Sequence, residues 1–87
     1  MRHPVDEEAV VALTRDLVRL RTVNEDGFRE APAAALVADT MRSFGWEPHI
    51  TQVAPGRPNV VAVVEGGGGP GRTLAFEGHT DVVTEGD

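Results

Sequence analysis

A histidine and an aspartate two residues apart form the clearest candidate for chemistry in this chain. His79 and Asp81 follow residues 73–78, whose alternating apolar side chains are typical of a β-strand. In an extended backbone, residues i and i+2 point to the same side, so the Asp81 carboxylate can approach the His79 imidazole. Such a carboxylate fixes the ring tautomer and leaves the other ring nitrogen free to bind a metal. A histidine at a strand end is more often structural than a ligand, so the triplet alone leaves both roles open.

Other catalytic groups find little support in the sequence. There is no cysteine, which excludes thiol nucleophiles, disulfides and cysteine-based zinc clusters, so any metal must be held by histidine and carboxylates. The one serine, Ser43, is predicted inside a helix and outside any nucleophile elbow. His3 lies near the terminus and His49 has no neighbouring acid at ligand spacing, so both are expected to be exposed.

Two loop motifs are poor candidates for binding sites. The glycine-rich residues 66–71 lack the Lys-Ser/Thr pair and the helix of a phosphate-binding loop, and we interpret them as a flexible hairpin connection. Asp81, Glu85 and Asp87 do not have the spacing of a twelve-residue calcium loop. We therefore interpret Glu85 and Asp87 as solvated acids.

The amino-acid composition limits the classes of partner that the chain is expected to bind. Eight Lys plus Arg against fourteen Asp plus Glu give 87 residues a net charge of −6, which opposes nucleic-acid binding. No apolar stretch is long enough for a signal peptide or a membrane span. We expect a soluble, cytoplasmic protein with neither a nucleic-acid nor a membrane partner.

Two helices are predicted before any strand. The first runs from residue 6 to about residue 20, with Asp6 as its N-cap and a stripe formed by Val10, Leu13, Leu17 and Leu20. The second is entered through Pro32 and ended by Gly45 in a left-handed cap. Its predicted apolar face consists of Ala33, Val37, Met41 and Phe44, with Leu36 beside it.

Three strands are predicted after the helices, at residues 49–53, 59–65 and 73–78. The middle segment is almost continuously Val and Ala, which predicts a central strand covered on both faces. The fold class is therefore α/β, with two helices, a β-hairpin and then a strand ending at the His-x-Asp loop.

The residues around the triplet resemble a known signature. Gly78-His79-Thr80-Asp81-Val82-Val83, with Gly86-Asp87 two residues further on, is similar to the first metal-ligand motif of the acetylornithine deacetylase, succinyl-diaminopimelate desuccinylase, aminoacylase and glutamate carboxypeptidase family. The opening helix, the helix ending Phe44-Gly45-Trp46 and residues 56–62 also resemble that family's N-terminal region. The family usually has proline where this sequence has Thr84, so the loop after the motif is expected to be less rigid.

The resemblance implies what the intact enzyme does and which part of it residues 1–87 form. It implies that residues 1–87 are the N-terminal portion of a mixed-sheet, zinc-peptidase-like catalytic domain, with His79 as a ligand and Asp81 as its orienter. The intact enzyme would use two divalent ions, zinc or alternatively cobalt, to hydrolyse an N-acyl amino acid or a small peptide-like amide. The family's bridging Asp, general-base Glu and late His would lie beyond residue 87. We therefore expect the 87-residue chain alone to be inactive, and leave a homodimer of the intact enzyme open.

A second interpretation places the chain in a different class of protein. The chain could be a non-catalytic α/β interaction module or a degenerate relative, whose sheet edge pairs with another chain. Acidic metal ligands following Asp87 in the parent reading frame would favour the enzyme over this module.

Overall fold

Two helices and a two-stranded antiparallel sheet make up the regular structure of the chain. A computed structural model describes residues 5–23 and 30–82. In chain order the elements are α1 (Glu7–Val18), α2 (Ala31–Ser43), β1 (His49–Ala54) and β2 (Arg57–Val61). The prediction of a mixed α/β chain with two helices followed by a hairpin is confirmed. His3, Thr84, Glu85 and Asp87 lie outside the described residues.

Helix α1 begins where the sequence predicts. The Asp6 carboxylate accepts a hydrogen bond from the Ala9 N–H at 3.2 Å, which satisfies one of the unpaired donors of the first turn. Glu7 and Glu8 follow, where the helix dipole favours negative charge. Leu13 and Leu17 are half-buried, but no residue of α1 is fully buried. The helix is thus well capped and only loosely packed.

Helix α2 carries the main apolar contacts and ends in a Schellman motif. Pro32 lies in its first turn, and Ala33, Ala34 and Ala38 are buried. At its end the Gly45 N–H donates to the Arg42 carbonyl and the Trp46 N–H donates to the Met41 carbonyl. Gly45 has a φ of 83°, so the predicted left-handed cap is confirmed.

A tight turn joins β1 to β2. Ala54 pairs with Arg57, so Pro55 and Gly56 form the two-residue connection. Proline at the first central position and a glycine with φ of 75° at the second are what a type II turn requires. The register shifts between Gln52 and Ala54, which leaves one extra residue on β1 as a bulge.

An ion pair fixes the hairpin to the start of α2. The Arg57 Nε donates to the Glu30 Oε1 at 2.7 Å. Glu30 immediately precedes α2 and its side chain is only 7% exposed, whereas Arg57 is the first residue of β2. Because the two residues are 27 positions apart, this contact joins the hairpin to the start of the helix.

The hydrophobic core is small. Among the described residues, the buried apolar side chains are Val23, Ala33, Ala34 and Ala38, and no large side chain is fully buried. Several large apolar residues are exposed instead, including Val18, Val63, Leu74 and Phe76. Neither helix in residues 5–23 and 30–82 is long and apolar enough to cross a membrane.

The predicted third strand is wrong. Residues 73–78 form no strand and are exposed throughout. Alternating side chains describe one segment, but a strand also needs a neighbour whose N–H and C=O groups pair with its own. Within the described residues no such neighbour lies beside 73–78, and pairing occurs only further on, as an isolated parallel bridge between Val23 and Val82.

The predicted central strand covered on both faces is also wrong. β2 pairs with β1 on one edge only, and the sheet described here has two strands. Val61, Val63 and Val64 are more than half exposed, and residues 62–65 lie outside the strand. The run of valines favours apolar surroundings, but the described residues do not cover it on both faces.

Candidate functional site

His79 and Asp81 contact each other in the way their spacing predicts, with one addition. The His79 Nδ1 lies 3.3 Å from the Asp81 Oδ1 and 2.9 Å from the Asp81 backbone oxygen. Both oxygens are acceptors, so the Nδ1 must carry the proton and donate it. The shorter contact is to the main chain, which means that the tautomer does not depend on the carboxylate alone.

The other ring nitrogen is available to a ligand. The His79 side chain is 82% exposed, and within the described residues no hydrogen bond or ion pair involves its Nε2. In the Nδ1–H tautomer the Nε2 has a free lone pair, which is what a metal or a proton donor requires. In its neutral form His79 therefore presents the Nε2 lone pair on the exposed side of the ring.

A main-chain contact positions the His79 segment, in place of the predicted strand. The Val82 N–H donates to the Thr22 carbonyl at 3.0 Å, and Val82 forms a parallel bridge with Val23. Thr22 and Val23 are only 7% and 3% exposed. This buried segment after α1 therefore holds Val82 in place. The triplet is thus held at its C-terminal side, three residues from His79.

An open cleft of about 340 Å³ lies beside His79. Its walls are mainly apolar side chains from the end of α1 and the start of α2, with His79 and Thr80 on one side. A volume of this size is within the usual range of small-molecule sites. The cleft therefore places apolar surface next to His79, and its lining includes Leu17, Leu20, Ala33 and Val82.

The described residues do not complete a metal centre. They contain no group of three or more His, Cys, Asp or Glu side chains arranged to hold an ion. A catalytic zinc usually has three protein ligands and one open position. His79 with Asp81 therefore fits one ligand and its orienting partner, and the other ligands would have to come from outside residues 5–23 and 30–82.

Sequence reasoning missed the two contacts that organise this region. The anchor at Thr22 and Val23 was not expected, because nothing in the local pattern marks two residues after a helix as a pairing site. Glu30 was also missed, although its position directly before Ala31 and Pro32 indicates a helix start. Both contacts join residues far apart in sequence, so no local periodicity reveals them.

Taken together, the described residues define a small mixed α/β unit in which His79, in contact with Asp81 through its Nδ1, lies beside an apolar cleft. The sequence is 40% identical over 75 residues to the succinyl-diaminopimelate desuccinylase of Paracoccus denitrificans (strain Pd 1222). That match covers 86% of this chain and 18% of the desuccinylase, so the chain spans less than a fifth of the relative's length. No protein-family model matches the chain, and no solved structure matches it.

Proposed function

We propose that this chain is the N-terminal portion of the catalytic domain of a metal-dependent amidohydrolase. The intact enzyme would cleave an N-acyl amino acid or a small peptide-like amide, and N-succinyl amino acids are the first substrates to test. The similarity to a desuccinylase over most of the chain supports this class of reaction. The proposed cofactor is a pair of divalent ions, zinc or alternatively cobalt, bound partly by His79.

One observation carries the proposal. The His79 Nδ1 is occupied by the two oxygens of Asp81, at 2.9 and 3.3 Å, while the Nε2 is exposed. Histidine ligands of metals almost always donate their second N–H to a carboxylate or a backbone carbonyl. Here a single residue offers both kinds of acceptor, which is the arrangement expected for a ligand histidine with its orienting partner.

The roles of the chain's own residues follow from this geometry. His79 would donate its Nε2 lone pair, and Asp81 would keep the proton on Nδ1 so that the lone pair stays on the correct side. The cleft would supply an apolar wall on one side of the site, against which an apolar part of a substrate could pack. When bound, divalent ions in such hydrolases polarise the amide carbonyl and lower the pKa of a bound water.

Residues 1–87 alone are expected to bind zinc weakly and to hydrolyse no amide. A single histidine ligand cannot hold a catalytic zinc, and the described residues offer no further cluster of ligands. Tight stoichiometric zinc binding together with amide hydrolysis by the purified 87-residue chain would contradict this part of the proposal.

The proposal is tested by expressing the whole reading frame that encodes this chain and assaying hydrolysis of N-succinyl amino acids. Removal of divalent ions by a chelator should abolish hydrolysis, and zinc or cobalt should restore it. His79→Ala should reduce kcat/KM by more than the ~10–100-fold typical of losing an outer partner of a metal ligand.

The matched control is His49→Ala. His49 is an exposed histidine at the start of β1, so its removal should leave kcat/KM unchanged. Full activity after chelation, or in the His79→Ala variant, would reject the metal-dependent mechanism.

A further inference from the structure

The His79 ring receives little support from packing or from the residues before it. Its side chain is 82% exposed, so packing does not hold it in one position. Residues 72–78, which precede it, take part in no backbone hydrogen bond within residues 5–23 and 30–82. An exposed side chain samples several rotamers unless hydrogen bonds restrict it. The direction of the Nε2 lone pair therefore depends on what holds the two Asp81 oxygens that the ring contacts.

One peptide group takes part in both main-chain contacts of this region. The Asp81 carbonyl lies 2.9 Å from the His79 Nδ1, and the Val82 N–H donates to the Thr22 carbonyl at 3.0 Å. This carbonyl and this N–H belong to the same planar trans unit, in which they point in opposite directions. Because the unit is planar, holding its N–H against Thr22 also fixes the direction in which its carbonyl meets the ring.

The Thr22 end of this connection is its buried end. Thr22 and Val23 are 7% and 3% exposed, and Val23 forms a parallel bridge with Val82. The Val82 N–H thus meets an acceptor on a segment shielded from water, where a hydrogen bond is stronger than at an exposed position. Donation from this N–H also polarises the Asp81 carbonyl and makes it a better acceptor for the proton of the ring.

We propose that Thr22 is a positioning residue for the His79 ring, and that its carbonyl acts through the peptide group between Asp81 and Val82. Two hydrogen bonds in series restrict the ring: the bond from Val82 to Thr22 orients the peptide group, and the peptide carbonyl holds the Nδ1–H. The Nε2 lone pair is thereby kept in one direction. The restriction of the ring is a property of the chain itself, whereas its bearing on metal binding rests on the proposed function.

Backbone esters test this connection without changing a side chain. Replacing a valine by its α-hydroxy acid removes the N–H and makes the preceding carbonyl a weaker acceptor. At Val82 the ester removes the donor to Thr22 and weakens the Asp81 carbonyl. At Val23 it weakens the Thr22 carbonyl alone, because the Val23 N–H takes part in no hydrogen bond within the described residues. Val64 is the matched control, since it is 55% exposed and its N–H also bonds to no described residue.

Nuclear relaxation of the ring carbons of His79 in the metal-free chain measures how strongly the ring is restricted. In the unmodified chain its order parameter should exceed the ~0.6 that marks flexible groups. The order parameter should fall most in the Val82 ester, less in the Val23 ester and not at all in the Val64 ester. His49, an exposed histidine in the same chain, gives the value of a ring without these two hydrogen bonds.

The intact enzyme separates this inference from the proposed function. Val23→Ala loosens the segment that carries the Thr22 carbonyl, so zinc affinity should fall about 3- to 10-fold, at or below the ~10–100-fold typical of losing a direct outer partner. Arg57→Ala is the control for lost stability, because it breaks the ion pair with Glu30 and leaves the Thr22 contact in place. Its zinc affinity should be unchanged. An enzyme that needs no metal, with a ring that the esters release, would reject the proposed function and keep the inference.

Three outcomes overturn the positioning role. An order parameter of His79 that no ester changes would show that the peptide group does not hold the ring. A fall in the Val82 ester with none in the Val23 ester would show that the Asp81 carbonyl acts without Thr22. Equal losses of zinc affinity in Val23→Ala and Arg57→Ala would attribute the effect to lost stability.

Discussion

At the scale of single residues, the two acceptors around the His79 Nδ1 make the tautomer robust. The backbone oxygen of Asp81 is closer than its carboxylate, at 2.9 against 3.3 Å, and a side-chain substitution leaves the backbone oxygen in place. We therefore expect Asp81→Asn to retain the Nδ1–H tautomer of His79 in the metal-free chain. Long-range ¹H–¹⁵N correlation spectra of the imidazole report which nitrogen carries the proton.

The same substitution separates orientation from basicity. Asparagine cannot supply the negative charge that raises the donor strength of the histidine, so zinc affinity of the intact enzyme should fall by about 10-fold while the tautomer stays the same. His49, which has no such partner among the described residues, serves as an internal reference in the same spectrum. A switch of His79 to the Nε2–H tautomer in Asp81→Asn would show that the carboxylate alone sets the proton position.

Gly45 is a residue whose replacement should cost backbone energy alone. Its φ is 83°, and a Cβ built on it meets nothing within 4 Å. Gly45→Ala should therefore lower the free energy of unfolding by about 1–2 kcal/mol, the cost of a left-handed conformation for a residue with a Cβ. Urea denaturation followed by circular dichroism measures the change.

Gly67→Ala is the matched control for that experiment. Gly67 also has open space around it but has no positive φ, so the substitution should be close to neutral. An equal loss of stability in the two variants would mean that the left-handed cap of α2 contributes nothing specific.

At the scale of elements, two ion pairs of nearly equal length should differ greatly in their effect. Arg57–Glu30 spans 2.7 Å with Glu30 almost fully buried, whereas Arg42–Asp39 spans 2.8 Å with both side chains more than half exposed. Removing Arg57 leaves a buried carboxylate without its cation. Its second oxygen, Oε2, already lacks a hydrogen-bond partner among the described residues.

We expect Arg57→Ala to destabilise the chain by about 2–3 kcal/mol, somewhat below the ~3–5 kcal/mol typical of a fully buried pair, because Arg57 is 32% exposed. Arg42→Ala should cost less than about 1 kcal/mol, as exposed pairs do. Urea denaturation should be measured for the two single variants and for the double variant Glu30→Gln/Arg57→Ala. The double variant removes the buried negative charge together with its cation, so it separates the cost of an unpaired charge from the loss of the ion pair. Comparable losses in Arg57→Ala and Arg42→Ala would refute the role of burial.

The elements that the sequence predicted correctly are those determined by neighbours along the chain. Asp6 caps α1, Pro32 lies in the first turn of α2 and Gly45 ends it, because each of these effects acts within about four residues. The hairpin was predicted from the β-favouring composition of its two strands, and in the structure Pro55 and Gly56 form the turn between them.

The features that the sequence did not predict correctly depend on partners far away in sequence. Residues 73–78 alternate like a strand, but the described residues supply no strand to pair with them. The Glu30–Arg57 contact and the Thr22–Val82 hydrogen bond were invisible for the complementary reason, since they join positions that no local pattern connects. At the site, the His79–Asp81 contact was predictable because it spans two residues.

At the scale of the whole molecule, the small core should limit stability. The Cα radius of gyration is 15.3 Å, compared with roughly 12 Å for a compact domain of this length. The buried apolar side chains are one valine and three alanines among the described residues, and burying side chains this small contributes little free energy. We expect a free energy of unfolding below ~5 kcal/mol, at or under the lower limit for natural domains.

That stability should also be unevenly distributed. α2 contributes the buried alanines and contacts β2, which the Arg57–Glu30 pair fixes in place, whereas no residue of α1 is buried. A twelve-residue helix is marginal in water without tertiary packing, even with a good N-cap. Amide hydrogen exchange should therefore be at least ~10-fold faster in residues 11–18 than in residues 35–43. Equal protection of the two helices would mean that contacts as strong as those of α2 hold α1. The expected difference in local stability between the two helices would then be wrong.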